Sequence, residues 1–192
     1  MNLFDKAITF AVEKHSGDVR KGTETPYIVH PMEAAAIVAT MTNDEKILAA
    51  AVLHDTVEDT DATIEDIERE FGSEVAKLVA AESEDKRREI SSEESWQIRK
   101  QETIDYLRDK ANAAERMVAL GDKLSNIRAI SRDYEKLGDA LWERFNQHDP
   151  AKHAWYYGSF LETLKELSDT AAYREYEEIY RKVFSKYEIV GE

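Results

Sequence analysis

Cysteine is missing altogether, which removes disulfides, thiolate zinc sites and thiol nucleophiles together. Helix breakers are scarce: three prolines and seven glycines punctuate 192 residues, while Ala, Glu, Lys and Leu dominate, so helices are expected to account for most of the chain. No run is apolar enough to span a bilayer. The first ten residues, Met-Asn-Leu-Phe-Asp-Lys-Ala-Ile-Thr-Phe, carry an acid and a base where a secretory signal would be apolar, so cytoplasmic residence is the expectation. Basic residues are the minority charge. With 26 Lys and Arg against 40 Asp and Glu, the net charge of -14 argues against a non-specific nucleic-acid binder, because such proteins displace phosphate counterions with clustered cations. A phosphorylated ligand would need a local basic patch or a metal. What remains, 42% hydrophobic and 34% charged, reads as one soluble all-α domain over residues 1–192.

Apolar spacing places the helices. Leu3, Ala7, Phe10, Ala11 and Lys14 give an amphipathic first helix, followed by a loop from Ser16 to Tyr27. Pro31 stands where a first helical residue would lie, so a second helix is predicted from there through Ala39. A third follows Asn43-Asp44, a short one covers 63–70, and Val75, Leu78 and Val79 mark another after Gly72-Ser73. Residues 82–92 read as a charged connection. Ser91 or Ser92 with Glu94 or Glu93 opens a long helix to about 110, Ser91 fitting the Ser-x-x-Glu capping box. Ala113 to Ile130 is the next helix, residues 132–149 are irregular with a short helix around Leu141, and about 150–187 form one broken or two successive amphipathic helices.

The chemistry is concentrated at His54-Asp55, which interrupt the most apolar helical run, Lys46-Ile-Leu-Ala-Ala-Ala-Val-Leu, and precede Glu58, Asp59 and Asp61. An imidazole and a carboxylate on partly desolvated ground need compensation. If the helix continued to 59, His54 would face Glu58 and Asp55 would face Asp59; like charges at that spacing cost roughly 0.2–0.5 kcal/mol per pair and acids in a last turn oppose the dipole. A divalent cation would reverse both signs. The alternative is that Asp59 and Asp61 cap the next helix.

Two other residues stand out. His30 lies between prolines in Pro26-Tyr-Ile-Val-His-Pro, and Asp122 sits on an otherwise hydrophobic helix in Leu120-Gly-Asp-Lys-Leu-Ser-Asn. Adjacent helical residues diverge by about 100°, so an ion held by both His54 and Asp55 needs ligands from elsewhere, which His30 and Asp122 can supply. Two imidazoles and two carboxylates suit a six-coordinate divalent ion with open positions for water and substrate. The bland alternatives are a capping or buried histidine at 30 and, at 122, a carboxylate paired with Arg128 or Lys123.

The strings Arg20-Lys-Gly, Thr25-Pro-Tyr-Ile-Val-His-Pro, Leu53-His-Asp-Thr-Val-Glu-Asp-Thr-Asp and Gly121-Asp-Lys-Leu-Ser-Asn resemble the HD-domain metal phosphohydrolases, and within them the hydrolase domain of the RelA/SpoT-homologue alarmone enzymes, especially its stand-alone small hydrolases. The resemblance covers residues 1 to about 130 well and is weaker beyond. It implies a single HD-domain helical bundle with a core at about 1–130 and helices at about 150–187 packing on it. It makes His30, His54, Asp55 and Asp122 ligands of a manganese ion, and Glu58 and Asp59 the pair that orients or deprotonates the attacking water. Arg20 and Lys21 would contact the guanosine nucleotide, Lys86 the departing pyrophosphate, Asn126 a ribose or phosphate, and Tyr156 the substrate as an aromatic contact.

The implied reaction is hydrolysis of the 3′-diphosphate of ppGpp or pppGpp to pyrophosphate and GDP or GTP. No synthetase domain or regulatory tail follows, so degradation without synthesis is expected. Gly121 stands where the family often has alanine, indicating close packing, and Glu82-Ser-Glu-Asp-Lys replaces a more usual Thr-Asp-Asp-Lys. Rival readings are a phosphatase for another nucleotide, such as a deoxynucleoside monophosphate or the 2′-phosphate of NADPH, and a nucleotide-binding sensor without turnover. Oligomeric state is not legible.

Overall fold

The computed structural model describes residues 1–83, 89 and 91–187. Among these the secondary structure is helical throughout apart from one isolated antiparallel bridge, Val19 to Pro26, in agreement with the all-α expectation. The chain forms two compact units, Met1–Ser83 with Ala111–Ser125, and Glu84–Lys110 with Asn126–Glu192.

The first unit is organised around α3 (Glu45–Leu53). Its five consecutive residues Ala49, Ala50, Ala51, Val52 and Leu53 are wholly buried, the pattern of a helix with neighbours on every side. α1 (Leu3–Lys14) packs on it through the small side chains Ala7 and Ala11, and α2 (Val29–Val38) and α6 (Ser73–Glu82) cover other faces. α2 begins two residues before Pro31, so the proline occupies the first turn without being its first residue; its missing N–H costs nothing there either.

α3 does not run on to 59. His54 Nδ1 lies 2.8 Å from the Ala51 carbonyl, the group that a continuing helix would offer to the Asp55 N–H, and a separate single turn, α4 (Thr56–Asp59), follows. The cap of α5 (Ile64–Phe71) is Thr63 in a capping box with Asp66; Asp61 instead pairs with Lys14 at 2.7 Å. α8 (Ala113–Leu137) contributes its residues up to Ser125 to this unit. A Cβ on Gly121 would stand 2.6 Å from Val38 Cγ2 and 2.9 Å from the Ala34 carbonyl oxygen, so α8 crosses α2 at a distance that only glycine allows.

In the second unit α7 (Ser92–Asp109) starts at the expected Ser91–Glu94 capping box. It packs against α9 (Pro150–Thr163), which pairs with α10 (Ala171–Phe184). A 3-10 turn at Gly138–Arg144 matches the short helix expected around Leu141. Trp142, buried, stacks on His153 at 5.2 Å between ring centres, and Arg128 makes a two-pronged pair with Glu175 at 2.7 Å.

Candidate metal centre

α2, the C-terminal end of α3 and α8 bring His30, His54, Asp55 and Asp122 to one point in the first unit. The two imidazole Nε2 atoms are 3.3 Å apart. Asp55 Oδ2 lies 3.3 Å from His30 Nε2 and 3.1 Å from His54 Nε2; Asp122 Oδ1 lies 3.1 and 3.5 Å from the same two atoms. Both histidines and Asp122 are buried and Asp55 is half-buried.

Hydrogen bonding fixes what those nitrogens present. His54 Nδ1 faces a peptide carbonyl and must donate to it, leaving Nε2 as a bare lone pair in the neutral ring. His30 Nδ1 is 2.8 Å from Ser125 Oγ, which itself donates to Glu33 Oε2 at 2.8 Å, so Nδ1 is again the donor and Nε2 again bare. With the rings neutral, two nitrogen lone pairs and two carboxylate oxygens thus face one point. Bonds of about 2.1–2.3 Å to a six-coordinate ion place adjacent ligand atoms roughly 3.0–3.3 Å apart. The observed separations fit a divalent cation at the centre.

Where no cation is bound, a proton on His54 takes over the compensating positive charge. Burial alone would push the His54 imidazole down, but Asp55 and Asp122 outweigh it and hold it well above the usual histidine range. Burial would raise both aspartates; His54 and His30 hold Asp55, and Lys123 with the imidazoles holds Asp122, well below the usual carboxylate range. The Lys123 alternative for Asp122 is therefore realised alongside the cluster: Lys123 takes Oδ2 while Oδ1 faces the imidazoles. Arg128 is engaged by Glu175.

Beside this point stands Tyr27, which the sequence reading left unassigned. Its hydroxyl is 2.7 Å from Asp55 Oδ2 and 2.9 Å from Asp59 Oδ2, linking the four-residue cluster to the acidic pair. Burial, then Asp55 and Asp59, push the phenol far above its ordinary value and keep it a donor. The His30 N–H accepted by the Tyr27 carbonyl at 2.9 Å shows the local turn that places both rings, and a phenol three residues before a candidate ligand was the available signal. The ring is stacked on buried His15 at 4.9 Å and has the Arg20 guanidinium 5.7 Å from its centre. Glu82, at the end of α6, is also newly placed in this environment: loss of water pushes its carboxyl up to about 7, against Lys123 and with Asp122.

The remaining candidates are less concentrated. Glu58 is half-buried and Asp59 exposed on α4. Arg20 and Lys21 lie in the loop pinned by the Val19–Pro26 bridge and by the Arg20 N–H to Thr25 carbonyl bond of 2.9 Å. Lys86, with Arg87 and Arg88, lies outside the described residues. Asn126 and Tyr156 belong to the second unit, Asn126 half-buried on α8 and Tyr156 buried on α9 with Lys100 Nζ 4.9 Å from its ring centre.

Helices that aim two histidines and two aspartates at a single point define an all-helical protein with a histidine–aspartate cation centre. The chain belongs to the HD domain family, whose model matches residues 7–148, and membership implies a divalent metal. It is 36% identical over 128 residues to GTP pyrophosphokinase rsh of Brucella ovis, covering 67% of this chain and 17% of that protein; the chain thus spans a minor part of such relatives. It is 38% identical to the guanosine-3′,5′-bis(diphosphate) 3′-pyrophosphohydrolase MESH1 of Danio rerio, over 66% of this chain and 68% of that one. A solved structure described as a metazoan ortholog of SpoT that hydrolyzes ppGpp superposes with a TM-score of 0.74 at 27% identity, covering 95% of this chain and 96% of that one.

Proposed function

We propose that this chain is a metal-dependent phosphohydrolase that cleaves the 3′-diphosphate of ppGpp or pppGpp, an alarmone of the stringent response, with water, releasing pyrophosphate and GDP or GTP. The observation that carries the reading is the convergence of four metal-ligand-type donor atoms, from His30, His54, Asp55 and Asp122, beside an acidic residue tethered by Tyr27. The activity named for MESH1 of Danio rerio supports the choice of substrate. Manganese is our assignment for the ion, in keeping with an N/O donor set. We treat residues 1–192 as one working module.

The four ligands would hold the cation, which when bound supplies Lewis acidity at a phosphoryl oxygen. The chain's own residues do the rest. Asp59, held by the Tyr27 hydroxyl, and Glu58 orient the attacking water and take its proton. Arg20 and Lys21, on a loop fixed at both ends, concentrate positive potential where a polyanion must approach an acidic protein. We assign Lys86 to the departing pyrophosphate, Asn126 to the ribose or a phosphate, and Tyr156 to an aromatic contact. The net charge of -14, and the absence of any membrane-spanning helix among the described residues, favour a small nucleotide in the cytoplasm over nucleic acid or a bilayer as the partner.

Purified protein supplied with MnCl2 and ppGpp should yield GDP and pyrophosphate in equal amounts. Orthophosphate as the product, or turnover of dGMP or NADPH but not of ppGpp, would overturn the substrate assignment.

A further inference from the structure

We propose that Glu33 and Ser125 form an anionic relay that holds His30 in its Nδ1–H form and makes it the stronger of the two imidazole donors to the cation. The inference rests on the cation reading above and deepens it by naming what tunes the ion's affinity. Ser125 is buried on α8 and Glu33 half-buried on α2, one turn from His30, so the relay joins the two helices that meet at Gly121.

The direction of the relay follows from inventory. A carboxylate can only accept, so the single hydroxyl hydrogen of Ser125 goes to Glu33 Oε2, at 2.8 Å. The oxygen lone pair that remains can only receive, so His30 Nδ1, also at 2.8 Å, donates to it. His54 has a different backing. Its Nδ1 donates to the Ala51 peptide carbonyl, a neutral group. Negative charge passed through a polarised hydroxyl raises the electron density of the His30 ring above that of His54, and outer partners of this kind typically change metal affinity by about 10–100-fold when removed.

Three variants separate charge from shape. Ser125→Ala cuts the relay at its middle; Glu33→Gln keeps the size of the side chain and removes its charge; the double variant tests whether both act along one path. Mn2+ titration calorimetry of metal-free protein should show wild type binding one ion, Ser125→Ala about 10–100-fold weaker, Glu33→Gln about 3–10-fold weaker, and the double variant no weaker than Ser125→Ala. Imidazole 15N shifts of the metal-free protein should place the His30 proton on Nδ1 in wild type and on both nitrogens in Ser125→Ala. Thermal melts check folding, and Glu33→Gln, at a half-exposed position, carries the test if Ser125→Ala does not fold. Wild-type affinity in Glu33→Gln and in any folded Ser125→Ala overturns the relay and leaves the cation reading standing. Wild type that binds no divalent ion overturns that reading, and the relay's role with it. Fully additive losses in the double variant overturn the single path.

Discussion

The Tyr27 hydroxyl stands 2.9 Å from Asp59 Oδ2, and so ties an exposed carboxylate on a single-turn helix to the buried cluster. Exposed acids on short turns rotate freely, and a general base must be held within hydrogen-bond reach of the proton it takes. The phenol has one hydrogen to give and two aspartates within reach, so the tether can be shared but not duplicated. Tyr27→Phe removes it with little change in volume. A hydrogen bond to a charged group is worth about 1.5–3 kcal/mol, so kcat is expected to fall about 10–100-fold with KM near the wild-type value. Steady-state kinetics on ppGpp check this; an unchanged kcat removes Tyr27 from the machinery.

Gly121→Ala is expected to destabilise the protein by about 1–3 kcal/mol, the range for overpacking a tight contact. The added Cβ meets the Ala34 backbone as well as Val38 Cγ2, so Val38→Ala in the same chain should restore part of the loss and not all. Because Asp122 is the next residue, Mn2+ affinity should fall with stability. Urea titration and calorimetry on both variants measure the two effects.

Removal of divalent ions by EDTA is expected to abolish hydrolysis and lower the melting temperature, since the two carboxylates are then compensated chiefly by a proton on His54 in place of a divalent charge. Readdition at about 100 times Kd should stabilise the fold by about 2.7 kcal/mol. A melting curve by circular dichroism that ignores Mn2+ would contradict the site.

A pH effect is expected from the second unit. Burial lowers the pKa of His153 below its usual 6.5, although the Gln147 carbonyl, 2.8 Å from Nε2, pulls the other way. The unfolded chain therefore binds the proton first as pH falls. His153 contributes no pH dependence above the unfolded value of about 6.5, and between that value and the folded one stability drops with decreasing pH. All three tryptophans, Trp96, Trp142 and Trp155, lie in this unit, so denaturation followed by tryptophan fluorescence reads it directly. His153→Phe should flatten that limb of the curve.

Most of the helices were legible because their signals are local, though α8 runs on to Leu137 through a stretch that reads as irregular in the sequence. The Ser91–Glu94 box, the apolar spacing of α1 and the glycine at 72 each act within a few residues. The four centre residues were legible because each is chemically out of place in a helical core. Gly121 could be read as a close contact because glycine inside a helix is costly. The break between α3 and α4 was not, since it depends on one imidazole competing for one carbonyl. Nor were the Ser125 contact with His30, 95 residues apart, and the reach of Tyr27 to Asp55 and Asp59, which only tertiary folding creates.

Beyond its exposed first turn α3 has no outward face, and this changes which positions of Ala49–Leu53 tolerate substitution. A buried rod cannot roll to absorb a larger side chain, so a bulkier residue at Ala49, about 7.5 Å up the axis, displaces the His54 imidazole at its tip much as a change beside that ring would. Distance along the helix is therefore a poor guide to permissiveness here, and a saturation screen should find Ala49–Leu53 as intolerant as His30, His54 and Asp122.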